Sequence, residues 1–161
     1  MIRQATAADA EAVIRVYNHY VLNSWATFEE ESVTTEEMAR RIDSVARRSL
    51  PWLAAEEEGR LIGYACASPW KDRSAYRFSV ETSVYLEPER RGRGWGARLL
   101  GTVVEDLRAK PIHSAIGIIA LPNEASIALH ERLGFRKVAH LAEVGWKFGR
   151  RIDVGYWQLL L

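Results

Sequence analysis

The chain has 161 residues, 48% of them hydrophobic and 27% charged, which fits one folded domain with its own core and excludes a disordered segment. The 22 basic and 21 acidic side chains sum to +1, too balanced for a general nucleic-acid binder. A single cysteine, Cys66, excludes an intrachain disulfide. No apolar run approaches the roughly 18 residues of a membrane span, and the start lacks the apolar stretch of a secretory signal, so a cytoplasmic protein is expected.

Ile2–Gln4 reads as a short strand. Thr6 to Asp9 opens a helix, and Val13, Val16, Tyr17 and Tyr20 carry it at helical spacing to about Leu22. The stretch from Asn23 to Ser32 is a loop or irregular strand with Trp25 and Phe28 exposed. Thr34 or Thr35 caps a second helix whose apolar stripe is Met38, Ile42 and Val45. Trp52–Glu56 and Leu61–Ser68 form adjoining strands around a Gly-containing turn. Phe78–Leu86 alternates most clearly. Phe78, Val80, Thr82 and Val84 take one face, and Ser79, Glu81, Ser83 and Tyr85 the other. Ala97–Ala109 is helical. Ala115–Ala120 is apolar on both faces, as an interior strand would be. Asn123 caps a helix that stops at Gly134, and Phe135–Val144 and Asp153–Leu160 close the chain as strands. The order is β-α-α-β-β-β-α-β-α-β-β. It predicts a single α/β domain over residues 1–161, with a mixed sheet and not a serial Rossmann pattern.

The informative turn is Arg91-Gly92-Arg93-Gly94-Trp95-Gly96, set between a strand and a helix. Its glycines let backbone N–H groups converge, and the helix behind adds free N–H groups and the positive end of its dipole. That combination suits a pyrophosphate; the plainer alternative is a tight turn with a solvated arginine rim. The dinucleotide fingerprint fails on glycine spacing, and no Gly-Lys-Ser/Thr is present for a Walker loop.

Arg91-x-x-Gly94-x-Gly96 resembles the acyl-coenzyme A pyrophosphate signature of the GNAT acetyltransferase superfamily. The resemblance covers essentially the whole chain. It sharpens to the branch of phosphinothricin and methionine sulfoximine/sulfone N-acetyltransferases. Ala26-Thr27-Phe28-Glu29, Trp70-Lys71-x-Arg73-x-Ala75-Tyr76, Glu81-x-Ser83-Val84-Tyr85 and Leu121-Pro122-Asn123 carry it, as do Leu129-His130-Glu131-x-Leu133-Gly134-Phe135 and Asp153–Gln158. It implies the GNAT fold: a central mixed, splayed sheet with helices on both faces.

The resemblance implies acetyl-CoA as co-substrate, its pantetheine lying where the Glu81–Leu86 strand bulges and splays from its parallel neighbour. Val84 and Leu86, with the Tyr85 backbone between them, would give main-chain contacts. Arg91, Gly92, Arg93, Gly94, Trp95 and Gly96 would cradle the pyrophosphate, and Asn123 and Ser126 would meet the pantetheine. Glu81 is the candidate base, because thioester attack needs a neutral amine; without the resemblance it reads more readily as a surface glutamate. His130 stands where many relatives place a tyrosine. It is a candidate proton or hydrogen-bond donor to the sulfur, or a polar side chain that shapes the pocket.

For the acceptor, Arg73 and Lys71 are candidates for a carboxylate or polar oxygens, with Phe28, Glu29, Tyr76 and Thr82 as pocket residues. The implied reaction is direct acetyl transfer to the α-amine of phosphinothricin, methionine sulfoximine or methionine sulfone, with antibiotic resistance as an associated role. Another small amine, a protein N-terminus or a non-catalytic acyl-CoA sensor are the alternatives. A homodimer is implied by relatives in this branch and suits the aromatic C-terminal strands. One cysteine and four scattered histidines give no metal site, and no nucleic-acid or membrane partner is expected.

Overall fold

The computed structural model describes residues 1–161. Seven strands form one sheet in the order β1-β2-β3-β4-β5-β7-β6. They are β1 (Ile2–Gln4), β2 (Trp52–Glu57), β3 (Arg60–Pro69), β4 (Ser79–Leu86), β5 (Ser114–Ala120), β6 (Arg136–Lys147) and β7 (Arg150–Leu160). Every neighbouring pair is antiparallel except β4 and β5, which run parallel.

The helices are α1 (Ala10–Asn23), α2 (Thr35–Arg47), α3 (Trp95–Arg108) and α4 (Glu124–Arg132). A 3-10 turn at Ala7–Asp9 precedes α1. In α1, Ala10, Val13, Val16, Tyr17, Tyr20 and Val21 are buried, the stripe expected of a helix laid on a sheet. Thr34 caps α2, its hydroxyl accepting from the Glu37 N–H at 3.2 Å.

Alternation along β4 separates the two layers. Tyr85 meets Tyr17 and Tyr20 of α1, with ring centroids 5.1 and 5.3 Å away. Leu86, one residue on, turns to the opposite face, where it approaches Gly96 of α3 beside Leu129 of α4. Helices therefore cover both faces, and β5 is buried between them.

Two strands run further than the pattern predicted. β6 continues to Lys147 and β7 starts at Arg150, joined by Phe148-Gly149 with φ of 52° and 71°. Both residues are left-handed, as a two-residue hairpin turn requires, but Phe148 is not a turn former and hid the signal. β4 begins at Ser79, leaving Phe78 outside the strand and exposed.

Candidate active site

The sheet opens between its only parallel pair. β4 and β5 are in register from Ser79–Ser114 to Thr82–Gly117, and no pairing follows. β4 meanwhile stays in unbroken register with β3 from Val80 to Leu86. The expected bulge is therefore absent. The strands part after Thr82–Gly117 with no extra residue in β4, and β5 keeps its register with β7 through Ala120.

Glu87 N–H donates to Ile62 O at 2.8 Å on the β3 side. Alternation then points the main-chain groups of Val84 and Leu86 towards the gap. The Leu86 carbonyl already accepts from the Tyr20 hydroxyl. The Val84 N–H and C=O and the Leu86 N–H face the opening.

A cavity of about 420 Å³ fills this gap. Val84, Tyr85 and Leu86 form one wall, and Asn123, Ser126 and His130 of α4 another. Its far end is the glycine turn, where Arg91, Gly92, Gly94 and Gly96 line it. Gly92 and Gly94 have φ of 74° and 81°, the left-handed region that glycine enters without strain. The first intrahelical bond of α3 is Arg98 N–H to Gly94 O, so the N–H groups before it are unpaired.

Two members of the predicted turn are placed differently. Trp95 is buried and its ring takes the guanidinium of Arg98 at 4.2 Å, while Arg93 is exposed; neither lines the cavity. Asn123 caps α4, its side-chain oxygen accepting from the Ser126 N–H at 3.2 Å.

Glu81 sits one residue before the fork, opposite Ser68 on β3 and Ile116 on β5. Burial pushes its carboxyl above the ordinary glutamate value, and the charge of Lys71 partly offsets this. Thr82, expected at the acceptor, lines this same cavity, its hydroxyl directed at Ile116 O at 3.5 Å.

His130 is buried. Its Nδ1 lies 2.8 Å from the Ser126 carbonyl oxygen, and a carbonyl only accepts, so this bond assigns the proton to Nδ1. Nε2 has no partner and rests on Gly117, where a Cβ would stand 2.5 Å from it. Burial lowers the imidazole pKa, partly offset by the Ser126 carbonyl. In this state Nε2 is an acceptor, and it donates only after taking a second proton.

On the α1 and α2 face of the sheet lies a second cavity, of about 290 Å³, sharing Ser83 and Tyr85 with the first. None of Phe28, Glu29, Lys71, Arg73 or Tyr76 lines either cavity. Lys71 and Arg73 are exposed, with the Lys71 ammonium 4.8 Å from the Trp70 ring centroid. Tyr76 is also exposed. The Glu29 carboxylate is engaged by Arg41 through bonds of 3.0 and 2.6 Å, and by the Tyr17 hydroxyl.

Lys147 was missed by sequence reasoning. It is 2% exposed, yet its ammonium donates to Ser24 O and Thr27 O, each at 2.7 Å. It pins the α1–α2 loop onto β6, and Phe28 of that loop lies over Gly145. No group of three His, Cys, Asp or Glu side chains sits together in the structure. Burial pushes the Cys66 thiol up to about 12, far from a thiolate nucleophile.

A sheet forked at a parallel pair, a carboxylate at the fork and a glycine turn at a helix N-terminus define an acyl-CoA-dependent N-acyltransferase. The chain belongs to the GNAT acetyltransferases: the acetyltransferase (GNAT) domain family matches residues 2–155. It is 40% identical to phosphinothricin N-acetyltransferase of Streptomyces viridochromogenes over 98% of this chain and 85% of that protein. It is 36% identical to the L-methionine sulfoximine/L-methionine sulfone acetyltransferase of Salmonella typhimurium over 99% of this chain and 94% of the relative. The crystal structure of a phosphinothricin acetyltransferase from Sinorhizobium meliloti in complex with acetyl-CoA superposes with a TM-score of 0.97. That match is 40% identical and covers 100% of this chain and 88% of the other.

Proposed function

We propose that this protein moves the acetyl group of acetyl-CoA to the α-amine of a small amino acid with an oxygen-bearing side chain, the class of phosphinothricin, methionine sulfoximine and methionine sulfone. The observation that carries the reading is Glu81 at the fork of β4 and β5, beside a cavity that ends at the glycine turn. The names of the relatives support the substrate class.

In this mechanism Glu81 takes a proton from the incoming ammonium, directly or through a water, and the free amine attacks the thioester carbonyl. The Val84 N–H stabilises the developing oxyanion. The C–N bond forms, the C–S bond breaks, and the second amine proton leaves with the sulfur. His130 shapes the sulfur end of the cavity and passes on that proton only if it first becomes charged.

The protein acts in the cytoplasm as one domain and as a homodimer, and it confers resistance to inhibitory amino-acid analogues. Val138, Val144, Trp146 and Phe148 leave the edge strand β6 and its turn with exposed apolar side chains, which supports a second copy covering them. Light scattering should give about twice the 18.3 kDa chain mass, and a monomer overturns the dimer.

Thiol release from acetyl-CoA tests the activity against phosphinothricin, methionine sulfoximine, methionine sulfone, methionine, glutamate and a lysine peptide. Selective turnover of the first three is expected. Glu81→Gln should lower kcat by roughly 10²–10⁴-fold with acetyl-CoA affinity unchanged. A protein that binds acetyl-CoA and acetylates nothing in the panel contradicts the acceptor assignment.

A further inference from the structure

The second cavity has a chemical character of its own. On the α1 and α2 face, strand register sets Ser68 beside Glu81, then Cys66 between Trp52 and Ser83, then Tyr64 beside Tyr85. The rows follow at every second residue, and Ser68 lines the cavity, so the cavity reaches the row of the carboxylate. By strand spacing and rise, the Cα atoms of Glu81 and Trp52 are roughly 12 Å apart.

Trp52 is 5% exposed and lines the cavity, and its indole N–H is buried without any hydrogen-bond partner. Its ring is fixed by stacking on Tyr64, with centroids 5.4 Å apart and planes at 18°. A buried donor left unpaired is costly, and nearly all such groups in folded proteins find an acceptor. Trp52 therefore lines the cavity with a fixed ring and carries a buried donor whose bond nothing in the chain receives.

The cations at the rim are already matched. Arg41 is bound by Glu29 and Glu37, and Arg40 by Glu37. No free positive charge awaits a carboxylate. Apart from these arginines the walls are aromatic, aliphatic or small, with Met38 and Val45 among them and the Cys66 thiol neutral. A guest that suits them has an apolar stem and an uncharged oxygen at its tip.

We infer that this cavity receives the side chain of the acceptor amino acid, and that the Trp52 indole N–H is the specificity-determining donor to a neutral side-chain oxygen. This rests on the acetyltransferase reading above and extends it to a residue outside the predicted site. A sulfonyl oxygen satisfies the donor. The thioether of methionine is a poor acceptor, and a glutamate carboxylate enters without a counter-ion.

The test compares methionine sulfone with methionine. In Trp52→Phe the stacking ring remains and the donor is lost. The sulfone-to-methionine ratio of kcat/KM should fall roughly tenfold, the equivalent of about one buried hydrogen bond, with methionine turnover retained. A ratio that does not change, or an equal loss on both substrates, overturns the inference and leaves the acetyltransferase reading intact.

Should that variant fail to fold, the wild-type protein gives a second readout. The Trp52 indole ¹H–¹⁵N resonance, assigned through its own backbone, should shift downfield with methionine sulfone in the presence of CoA and stay in place with methionine. No shift at saturating sulfone overturns the inference. If the wild type acetylates no amino acid, the acetyltransferase reading fails first. The indole resonance then decides the cavity alone: a sulfone-specific shift upholds the donor, and its absence overturns it.

Discussion

Two loops border the site, and they are held in opposite ways. The turn from Arg91 to Gly96 is shaped by its own glycines, with a Cβ at Gly92 or Gly94 meeting nothing within 4 Å. The loop from Ser24 to Glu29 has two bonds within itself, Ala26 N–H to the Ser24 hydroxyl at 3.0 Å and Glu29 N–H to the Thr27 hydroxyl at 3.3 Å, and more from outside. Lys147 holds two of its carbonyls, the Tyr17 hydroxyl bonds Thr27 and Glu29, Arg41 grips Glu29, and Tyr85 reaches Ala26 O at 3.4 Å. The first loop is encoded where it stands. The second is encoded by residues up to 123 positions away.

Lys147→Met strikes the second loop hardest. It leaves the Ser24 and Thr27 carbonyls without a donor in a buried setting, at a cost of about 2–3 kcal/mol. Urea unfolding should show the lower midpoint, and the acceptor KM should rise more than the acetyl-CoA KM. Equal stability with both KM values unchanged would mean that the loop orders itself, and the contrast between the loops would collapse.

Gly94→Ala probes the first loop. No neighbour obstructs the added methyl, so its effect comes from the left-handed backbone, about 1 kcal/mol. The acetyl-CoA KM should rise while the acceptor KM holds. A parallel rise in both would show that the turn also shapes the acceptor side.

Asn123→Ala removes the cap of α4, also worth about 1 kcal/mol. Asn123→Ser separates two roles of this residue. Serine caps well, so it should restore the melting temperature. It lacks the amide, so acetyl-CoA affinity stays low if Asn123 also contacts the pantetheine. Full rescue of both by serine would make the residue a cap only.

The same division explains what could be read in advance. The strand and helix order, the Asn123 cap and the glycine turn follow from periodicity and from residue types with few conformational uses, so short windows of sequence carry them. The cofactor side of the site is largely of this kind. The acceptor side is not. Trp52 alternates with its neighbours like any strand residue, and only its placement beside a cavity and its unpaired N–H mark it. Lys147 looks like a surface lysine until the hairpin turn at Phe148-Gly149 brings it over the loop. Glu29 was expected to wall the acceptor pocket, but Arg41, twelve residues on, takes up its carboxylate.

The smallest effect concerns Lys71, which touches neither cavity yet acts on Glu81 through its charge. A base must be ionised to accept a proton, and burial has already raised the Glu81 pKa, so with Glu81 as the proposed base activity should be lost as pH falls through that raised value. The positive charge of Lys71 favours the ionised form. Lys71→Met removes this help and lets burial act alone, so the acid limb of kcat/KM should move to higher pH. The shift should shrink as salt is added to the wild type, because an exposed lysine acts through screened solvent. An acid limb that stays in place in Lys71→Met would put Lys71 outside the electrostatics of the base. The segment from Trp70 to Tyr76 would then matter to the acceptor by contact or not at all.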